Sequence, residues 1–304
     1  MGSIDKRFIR KSRYQKKISN EMSQCQICER KCMIKVGNTG FCGTRKNIDG
    51  EIYTLIYGCI PSESCNPIEL KPLYDFHPGT TAYTVGSYGC NFSCFWCQNH
   101  RISHPEPSVK AKIESWKNYL SPQNLIEKAL NQKCEGTSIS FNEPTLLFEY
   151  ALDVFDLARE KDLYNTYVSN GYMTKQVAQD LITHGLDAIN IDVKGDAEMV
   201  RKYCGADVEK VWRNAQFFIE RGVHVEITTL LIEGFNTSIE VVKDIANRIG
   251  KELGKDVPFH LTRAFPRYKS NQYGFTSSTP LKTLYKDLLI AKKSGLKKVY
   301  LGNV

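Results

Sequence analysis

The sequence predicts a mixed α/β fold, a partial (β/α)6 barrel of the TIM type that follows a small cysteine-rich, metal-binding N-terminal extension. Short β-branched strands alternate with amphipathic helices over residues 76–304, which predicts the barrel. A compact cysteine motif follows the first of these strands, at the end where strand–helix barrels carry their functional loops. A second set of cysteines predicts the extension. We therefore expect two units, residues 1–75 (a basic arm and the cysteine-rich segment) and residues 76–304 (the barrel).

The first unit opens with a run of basic residues, Lys6–Lys17, which supplies part of the net charge of +8 (41 Lys and Arg against 33 Asp and Glu). Such a run can bind phosphates or an acidic partner. It is more often a solvated, partly frayed arm, and we predict the latter. Further along, Ile52–Tyr57 predicts a hairpin strand and Ser62–Tyr74 predicts a loop.

Four cysteines lie between the basic arm and this strand, and glycines beside them allow the tight turns that a metal-binding knuckle needs. With x2, x3 and x9 spacing, they are Cys25, Cys28, Cys32 and Cys42. Four thiolates suit a tetrahedral Zn²⁺ and equally suit a second [4Fe–4S] cluster, and the spacing favours neither metal centre. Four free cysteines are the less favoured alternative.

Strands and helices then alternate in order along the second unit. The predicted strands, which are rich in β-branched and aromatic residues, are Thr81–Gly86, Gly136–Phe141, Tyr164–Ser169, Ala188–Val193, Val223–Ile232, Pro258–Arg263 and a short Val299–Leu301. The predicted helices, identified by helical spacing of apolar residues, are Ser121–Lys133, Pro144–Lys161, Lys175–His184, Ala197–Tyr203, Val208–Arg221, Ile239–Leu253 and Leu281–Ser294. This alternation indicates a parallel sheet wrapped by helices.

The sequence contains no apolar run of the roughly 20 residues that cross a bilayer, and its first residues lack the apolar core of a signal peptide. We therefore expect a cytoplasmic protein with no membrane partner. The chain has eleven cysteines, and in that compartment they favour metal ligands over disulfides. Outside the two close sets we predict four buried thiols: Cys59, Cys65, Cys134 and Cys204.

The motif after the first barrel strand carries the most specific chemistry in the chain. Within Gly89–His100, the three residues Cys90, Cys94 and Cys97 have the spacing C-x3-C-x2-C. Three thiolates from one short loop can hold a [4Fe–4S] cubane and leave its fourth iron without a protein ligand, open to a small molecule. Unrelated thiols or part of a zinc site are the less favoured alternatives.

This motif resembles the signature of the radical S-adenosylmethionine (SAM) superfamily. The chain resembles the pyruvate formate-lyase activating-enzyme branch of that superfamily, and is more closely similar to the AmmeMemoRadiSam-type proteins. Besides the two cysteine sets, the matching runs are Asn66–Leu73, Phe141–Thr145, Ser169–Gly171, Asn190–Gly195, Pro258–His260, Phe265–Pro266 and Gly302–Val304. They are spread over nearly the whole chain, and together they specify an enzyme class but no substrate.

The resemblance implies a SAM site formed by Asn142, Glu143, Ser169, Asn170, Asp192, Lys194 and His260. Glu143 would accept a hydrogen bond from the methionine ammonium, although Phe141 and Asn142 stand where the family has glycines. Ser169 and Asn170 would bind the ribose or the carboxylate of SAM.

Asp192 and Lys194 are two residues apart on one strand and therefore share a face, and the family has such a pair near SAM. The family also has a histidine near the sulfonium, which His260 matches. Each assignment has a structural alternative: the pair is an ion pair of the barrel, His260 is a core histidine, and Glu143 caps the helix that follows it. No further catalytic residue is assigned.

The resemblance thus implies an enzyme, a radical SAM oxidoreductase that uses the [4Fe–4S] cluster to cleave SAM reductively to a 5′-deoxyadenosyl radical. That radical would abstract hydrogen from a protein or small-molecule substrate, and a one-electron reductant of the ferredoxin or flavodoxin type would be the partner. Activation of a glycyl-radical enzyme is the alternative within the class. A non-catalytic metal-binding or RNA-binding module is less favoured, as is nucleic acid as a partner.

Overall fold

The computed structural model describes residues 4–304, and the start of the predicted basic arm, Met1–Ser3, lies outside the described residues. Six short strands occupy the N-terminal segment: β1 (Arg10–Lys11), β2 (Gln15–Lys17), β3 (Met22–Cys25), β4 (Met33–Lys35), β5 (Arg45–Ile48) and β6 (Glu51–Thr54). They form two antiparallel sheets, in the orders β1–β6–β5 and β2–β3–β4. The cysteine-rich segment is therefore built on small hairpins, and the predicted hairpin strand at residues 52–57 is observed as β6.

The basic arm is more ordered than predicted. Strand β1 pairs with β6, β2 pairs with β3, and the ring of Phe8 is fully buried. The prediction of a frayed arm is therefore wrong for residues 8–17, because backbone pairing and burial of an aromatic ring fix the chain there.

One eight-stranded sheet forms the centre of the remaining chain. Its strands are β7 (Ser62–Pro67), β8 (Thr81–Gly86), β9 (Gly136–Ile139), β10 (Tyr164–Ser169), β11 (Ala188–Asp192), β12 (His224–Leu231), β13 (Phe259–Arg263) and β14 (Val299–Gly302). They lie side by side in sequence order, and β8 to β14 are all parallel. Strands β7 and β14 form the two edges of this sheet, so the barrel is open between them.

Helices cover the outside of the sheet and connect its parallel strands. They are α1 (His100–Ser103), α2 (Val109–Ser115), α3 (Pro122–Asn131), α4 (Phe148–Arg159), α5 (Lys175–Thr183), α6 (Ala197–Met199), α7 (Val208–Ile219), α8 (Ile239–Arg248) and α9 (Leu281–Lys293). Ser121 caps α3 and Pro122 takes its first position, as predicted. The predicted α/β partial barrel is thus confirmed. None of the helices described over residues 4–304 is long and apolar enough to cross a membrane.

Residues 62–67 were expected in a loop, and that prediction is wrong. They form β7, which pairs antiparallel with β8 over six residue pairs. The stretch is polar because an edge strand needs only one paired side and stays partly exposed, so it lacks the apolar pattern of a buried strand. The division of the chain at residue 75 stays a prediction. Strand β7 precedes that boundary in the chain and yet belongs to the barrel sheet.

A second correction concerns two of the four predicted buried thiols. Cys65 on β7 and Cys134, which precedes β9, form a disulfide. The sequence did not predict it because the pair becomes close only through the unrecognised strand β7 beside β8. Cys59 is a buried free thiol as predicted.

A buried ion pair ties the N-terminal segment to the barrel. Arg45 on β5 is 1% exposed, and its Nη1 and Nη2 donate to Glu149 Oε1 and Oε2 at 2.6 and 2.7 Å. Arg45 also donates to Ser12 Oγ and to the carbonyl oxygen of Leu146, each at 3.1 Å. Because Glu149 lies in the first turn of α4, the two-bond pair fixes the extension against the helix layer.

We expect Glu149→Gln to lower the free energy of unfolding by about 3 kcal/mol, since it leaves the Arg45 guanidinium buried without a counter-charge. Urea unfolding of the purified protein measures the change. The matched control is Glu51→Gln, which breaks the exposed pair with Lys11 and should lower the free energy of unfolding far less, because water screens that pair. Equal losses in the two variants would contradict a stabilising role specific to the buried pair.

Candidate active site

A cleft of about 530 Å³ opens at the carboxyl ends of the parallel strands. Cys90, Cys94 and Cys97 all line it. So do five of the seven predicted SAM contacts: Asn142, Glu143, Asn170, Asp192 and Lys194. The remaining two, Ser169 and His260, do not line the cleft. Parallel pairing brings residues that are about 100 positions apart in the chain to the same rim.

The cysteine loop leaves β8 through a turn that only glycine fits. Gly89 has φ of +89°, and a Cβ there would lie 2.7 Å from the carbonyl oxygen of Cys42 and from Thr44 Cγ2. Arg30 donates from the other side of the loop to the carbonyl oxygens of Asn91 and Cys204. The extension therefore holds the loop in place by direct contact.

Burial keeps the thiols of this loop neutral when they hold no metal. It raises the pKa of Cys97 to about 11 and that of Cys90 well above its ordinary value. A metal must then displace the protons, because the thiolate is the ligand. The backbone N–H of Phe92 already donates to Cys90 Sγ at 3.4 Å, a bond that would stabilise the negative charge of a ligating sulfur.

A fourth cysteine, which sequence reasoning left among the scattered thiols, lies beside this loop. Cys204 Sγ is 3.5 Å from Cys94 Sγ, although 110 residues separate them in sequence. Cys204 is buried, as predicted, and ends a π-helical turn, Val200–Cys204, that continues α6. The sequence offered one sign of this proximity. The segment that contains Cys204 follows the predicted strand β11, and it therefore leaves the sheet at the same rim as the cysteine loop.

Asn142 and Glu143 fasten the cysteine loop and the neighbouring strand ends. Asn142 Oδ1 accepts from the backbone N–H of Ser87, and its Nδ2 donates to the carbonyl oxygen of Gly89, both at 2.9 Å. Both polar atoms of the Asn142 amide thus bind the turn after β8, and this side chain fixes the start of the cysteine loop.

Glu143 is 2% exposed and accepts four hydrogen bonds. Their donors are the backbone and hydroxyl of Thr145, Ser169 Oγ and the backbone N–H of Asn170. The bond from the Thr145 backbone caps the 3-10 helix Pro144–Leu147, so the predicted cap is present. Burial raises the pKa of Glu143 despite these donors. Oε2 accepts one bond and retains a lone pair that can take another donor in the cleft.

Ser169 and Asn170 have different surroundings. Ser169 lies behind Glu143 and positions that carboxylate, at 2.8 Å, instead of facing the cleft. Asn170 faces the cleft, and its Nδ2 donates to Asn91 Oδ1 at 2.7 Å, which links β10 to the cysteine loop.

Asp192 and Lys194 both line the cleft. They do not lie on one strand, because β11 ends at Asp192 and Lys194 lies two residues beyond it. Lys194 Nζ lies 2.8 Å from Asp192 Oδ2, so the alternative of an ion pair is also observed. Burial disfavours the ammonium, but the nearby carboxylate outweighs burial and raises the pKa of Lys194. Lys194 is therefore a fixed positive charge close to Cys94.

His260 lies in the barrel interior, on the face of β13 that also carries Thr262 in the cleft lining, but two residues nearer the start of the strand. Its Nε2 is 2.5 Å from Glu226 Oε2, and His224 Nε2 is 2.9 Å from the other oxygen. The backbone N–H groups of Tyr74 and Asp75 also donate to Glu226. In this structure His260 is thus a core histidine with its hydrogen bond satisfied, which was the alternative considered from the sequence. The position of a residue within one predicted strand does not show how deep in the barrel its side chain lies.

The same network closes the lower part of the barrel. Asp75 accepts from Tyr300 Oη at 2.7 Å and pairs with Lys298 Nζ at 2.6 Å, both on or beside β14. The segment that follows β7 therefore crosses to the opposite edge of the sheet at its amino end and leaves the carboxyl end open.

The four cysteines of the extension line one small cavity together with Arg30 and Arg45. Burial raises the pKa of Cys25 to about 12. A Cβ on Gly40 would lie 3.1 Å from Ile34 Cδ1, a tight contact that glycine avoids beside Cys32. Across residues 4–304, no three Cys, His, Asp or Glu side chains are grouped to hold a single metal ion as they stand.

An open α/β barrel with three cysteines on the loop after its first parallel strand defines an enzyme that binds an iron–sulfur cluster at the strand ends. The family model of the radical SAM superfamily matches residues 84–248. An uncharacterized protein of Methanocaldococcus jannaschii is 36% identical over 97% of this chain and 86% of its own length. The chain belongs to the radical SAM superfamily, as the cysteine motif predicted, and membership implies binding of a [4Fe–4S] cluster and SAM.

Two further comparisons extend this result. A second protein of the same organism, named as a candidate glycyl-radical enzyme activating enzyme, is 27% identical over 62% of this chain and 69% of its own. The structure of SuiB from Streptococcus suis, bound to its precursor peptide SuiA, has a TM-score of 0.53 and 14% identity. That match covers 72% of this chain and 47% of SuiB, and it shows a shared fold.

We expect a pH-dependent loss of stability from Glu226. Burial alone would raise its pKa, but hydrogen bonds from His224, His260 and Asp75 lower it to about 2, below the ordinary 4.5. The ionised carboxylate thus stabilises the fold above about pH 4.5, and this contribution is lost as the pH falls toward 2.

Urea unfolding at a series of pH values measures the effect. Between pH 5 and 2 the wild type should lose about 3 kcal/mol more than Glu226→Gln. Glu240→Gln, an exposed carboxylate on α8, should keep the wild-type pH dependence. Parallel pH profiles for wild type and Glu226→Gln would contradict the role given to this carboxylate.

Proposed function

We propose that this chain is a radical SAM oxidoreductase that abstracts hydrogen from a protein or small-molecule substrate. The observation that carries the proposal is that the three motif cysteines and five of the predicted SAM contacts line one cleft. The donors suit the implied groups: three thiols on one loop for a cluster, and a buried carboxylate and an ammonium for the two charged ends of methionine.

We assign the cluster to Cys90, Cys94 and Cys97. Glu143 would accept from the methionine ammonium through its free lone pair, and Lys194 would bind the methionine carboxylate. Asn170 and Asp192 would contact the ribose or the amino acid. Asn142 and Ser169 are positioning residues that would not contact SAM themselves. Asn142 fixes the start of the cysteine loop, and Ser169 holds the carboxylate of Glu143 in place.

When bound, a reduced [4Fe–4S] cluster supplies the electron that cleaves SAM to methionine and a 5′-deoxyadenosyl radical. The chain's own residues position and shield that chemistry. Phe92 and Trp96 are buried and line the cleft, so they exclude water beside the cysteine loop. The Asp192–Lys194 pair and the Glu143 network are fixed before any ligand binds, which lowers the cost of orienting SAM.

Activation of a glycyl-radical enzyme is the second candidate function. The similarity to a candidate activating enzyme favours it, and in that case the substrate is the backbone of a protein loop. The partner that supplies electrons is proposed to be a reductant of the ferredoxin or flavodoxin type.

We also propose that the extension binds a second metal centre, zinc or iron–sulfur, through Cys25, Cys28, Cys32 and Cys42. Their shared cavity beside Arg45 supports this site, since a nearby guanidinium offsets part of the negative charge of the thiolates.

The test of the cluster assignment uses anaerobically reconstituted protein. We expect the wild type to be brown and, once reduced with dithionite or reduced flavodoxin, to convert SAM to 5′-deoxyadenosine. Cys94→Ala should lose SAM cleavage and about four irons because two loop thiolates do not hold the cluster. Iron analysis, electron paramagnetic resonance and chromatography of the nucleoside provide the readouts.

Cys204→Ala is the matched control, since it removes the neighbouring thiol and leaves the three loop cysteines. It should keep its iron and its SAM cleavage. Loss of iron in Cys204→Ala equal to that in Cys94→Ala would identify a fourth cysteine ligand and overturn the assignment of an open iron. Absence of 5′-deoxyadenosine from the wild type would overturn the proposed function.

The second centre has its own test. We expect Cys25→Ala/Cys28→Ala to lose zinc, or about four iron and four sulfide, and to keep the loop cluster. Elemental analysis distinguishes the two metals, and Cys59→Ala, a buried thiol outside both sets, serves as the control. If the double variant retains all metal of the wild type, the extension holds none.

A further inference from the structure

The active-site cleft extends beyond the proposed SAM contacts to the open side of the barrel. Those contacts follow β9, β10 and β11, in the middle of the sheet. The cleft is also lined by Asn66 on edge strand β7 and by Asn303, which follows the opposite edge strand β14. Part of the cleft therefore lies between the two edges, away from the strand ends that would hold SAM.

Lys71 lines the same cleft from the segment that crosses the amino end of the barrel after β7. It follows β7 and the 3-10 helix Ile68–Leu70, and its backbone N–H donates to the carbonyl oxygen of Ile68 at 2.8 Å. Its side chain lines the cleft, although the residue is only 4% exposed. Nζ lies 5.2 Å from the ring centroid of Phe141 and, among the described residues 4–304, no carboxylate pairs with it.

The other ionisable groups of the cleft differ from Lys71 because each has a partner or no charge. Glu143 accepts four hydrogen bonds, and Asp192 pairs with Lys194. Burial lowers the pKa of His104 to about 4, so this side chain is neutral at pH 7. Lys71 is left as a buried amine whose charge nothing in the described part of the cleft balances. Burial accordingly lowers its pKa to about 8, which still leaves most of it protonated at pH 7.

The backbone on both sides of Lys71 is fixed. The carbonyl oxygen of Pro72 accepts from Asn190 Nδ2 at 2.7 Å, and Tyr74 donates to the buried Glu226. The backbone that carries this side chain is therefore held in position before a ligand arrives. A buried and unpaired cation is a costly arrangement in a fold, and an anionic ligand would offset that cost.

We propose, on the basis of the proposed function, that the substrate is anionic and that Lys71 binds its carboxylate or phosphate group in the part of the cleft that the crossing segment lines. The ammonium donates charge-assisted hydrogen bonds to the anion, and removal from water strengthens them. The acidic group is thereby anchored beside the ring of Phe141, and the remainder of the substrate extends toward the adenosyl group.

The test measures the reactivity of individual lysines in the reconstituted holoenzyme with SAM present. Brief acetylation with acetic anhydride is read peptide by peptide by mass spectrometry, with inorganic phosphate or succinate as the probe anion. We expect one of these anions to slow acetylation of Lys71 about tenfold, and the exposed Lys282 on α9 to be unaffected. Which anion protects distinguishes a phosphate group from a carboxylate.

Equilibrium dialysis with the radiolabelled protecting anion then compares three variants. Lys71→Met should weaken binding at least about tenfold, Lys71→Arg should retain it within about threefold because the charge remains, and Lys282→Met should bind as the wild type does. Thermal unfolding of each variant checks that it folds. Lys71→Arg keeps the result interpretable if Lys71→Met does not fold.

Two outcomes would overturn the proposal. In one, neither anion protects Lys71 at concentrations up to about 50 mM, where millimolar affinity would be evident. In the other, SAM alone protects Lys71 fully and neither anion adds to it, which would assign this lysine to the SAM carboxylate. The labelling needs no reductant and no turnover, so failure of SAM cleavage and failure of anion binding are separate results.

Discussion

Parallel pairing of β8, β9, β10 and β11 decides where the chemistry of this protein lies. Each parallel strand of the barrel ends at the same rim, so polar residues that follow separate strands meet there. Hydrogen bonds then fix them to one another: Asn142 clamps the turn after β8, and Glu143 receives donors from the end of β10. These hydrogen-bonded strand ends are the frame that places the three loop cysteines at a buried cleft.

The N-terminal extension contributes to that frame. The carbonyl oxygen of Cys42 packs where a side chain on residue 89 would stand, Arg30 donates to the cysteine loop, and Arg45 pairs with Glu149 on α4. The extension also buries apolar side chains such as Phe8, Ile34 and Ile52, and these polar contacts to the barrel add to its stability. The two cysteine sets are consequently neighbours in space, and a change at one alters the surroundings of the other.

Most of the fold followed from periodicity, because strands buried on both faces and helices with one apolar stripe leave strong patterns in sequence. Strand β7 did not, since it is a polar edge strand whose pairing depends on a partner elsewhere in the chain. Motif spacing located the three loop cysteines and the Asp192–Lys194 pair. Spacing along one strand did not give the depth of His260, and long-range neighbours such as Cys204 and Lys71 leave no local signal.

The unpaired edges of the sheet have a consequence for what this protein can act on. A closed barrel admits only molecules that enter at its ends. A barrel with a lateral slot between its two edge strands can admit one residue of a long polymer while the rest of the polymer stays outside. Here the crossing segment seals the slot at the bottom through Asp75 and Tyr300 and leaves its upper half free. The size of a target is thus limited by what reaches in through the slot, and a whole protein and a free metabolite can satisfy the same geometry.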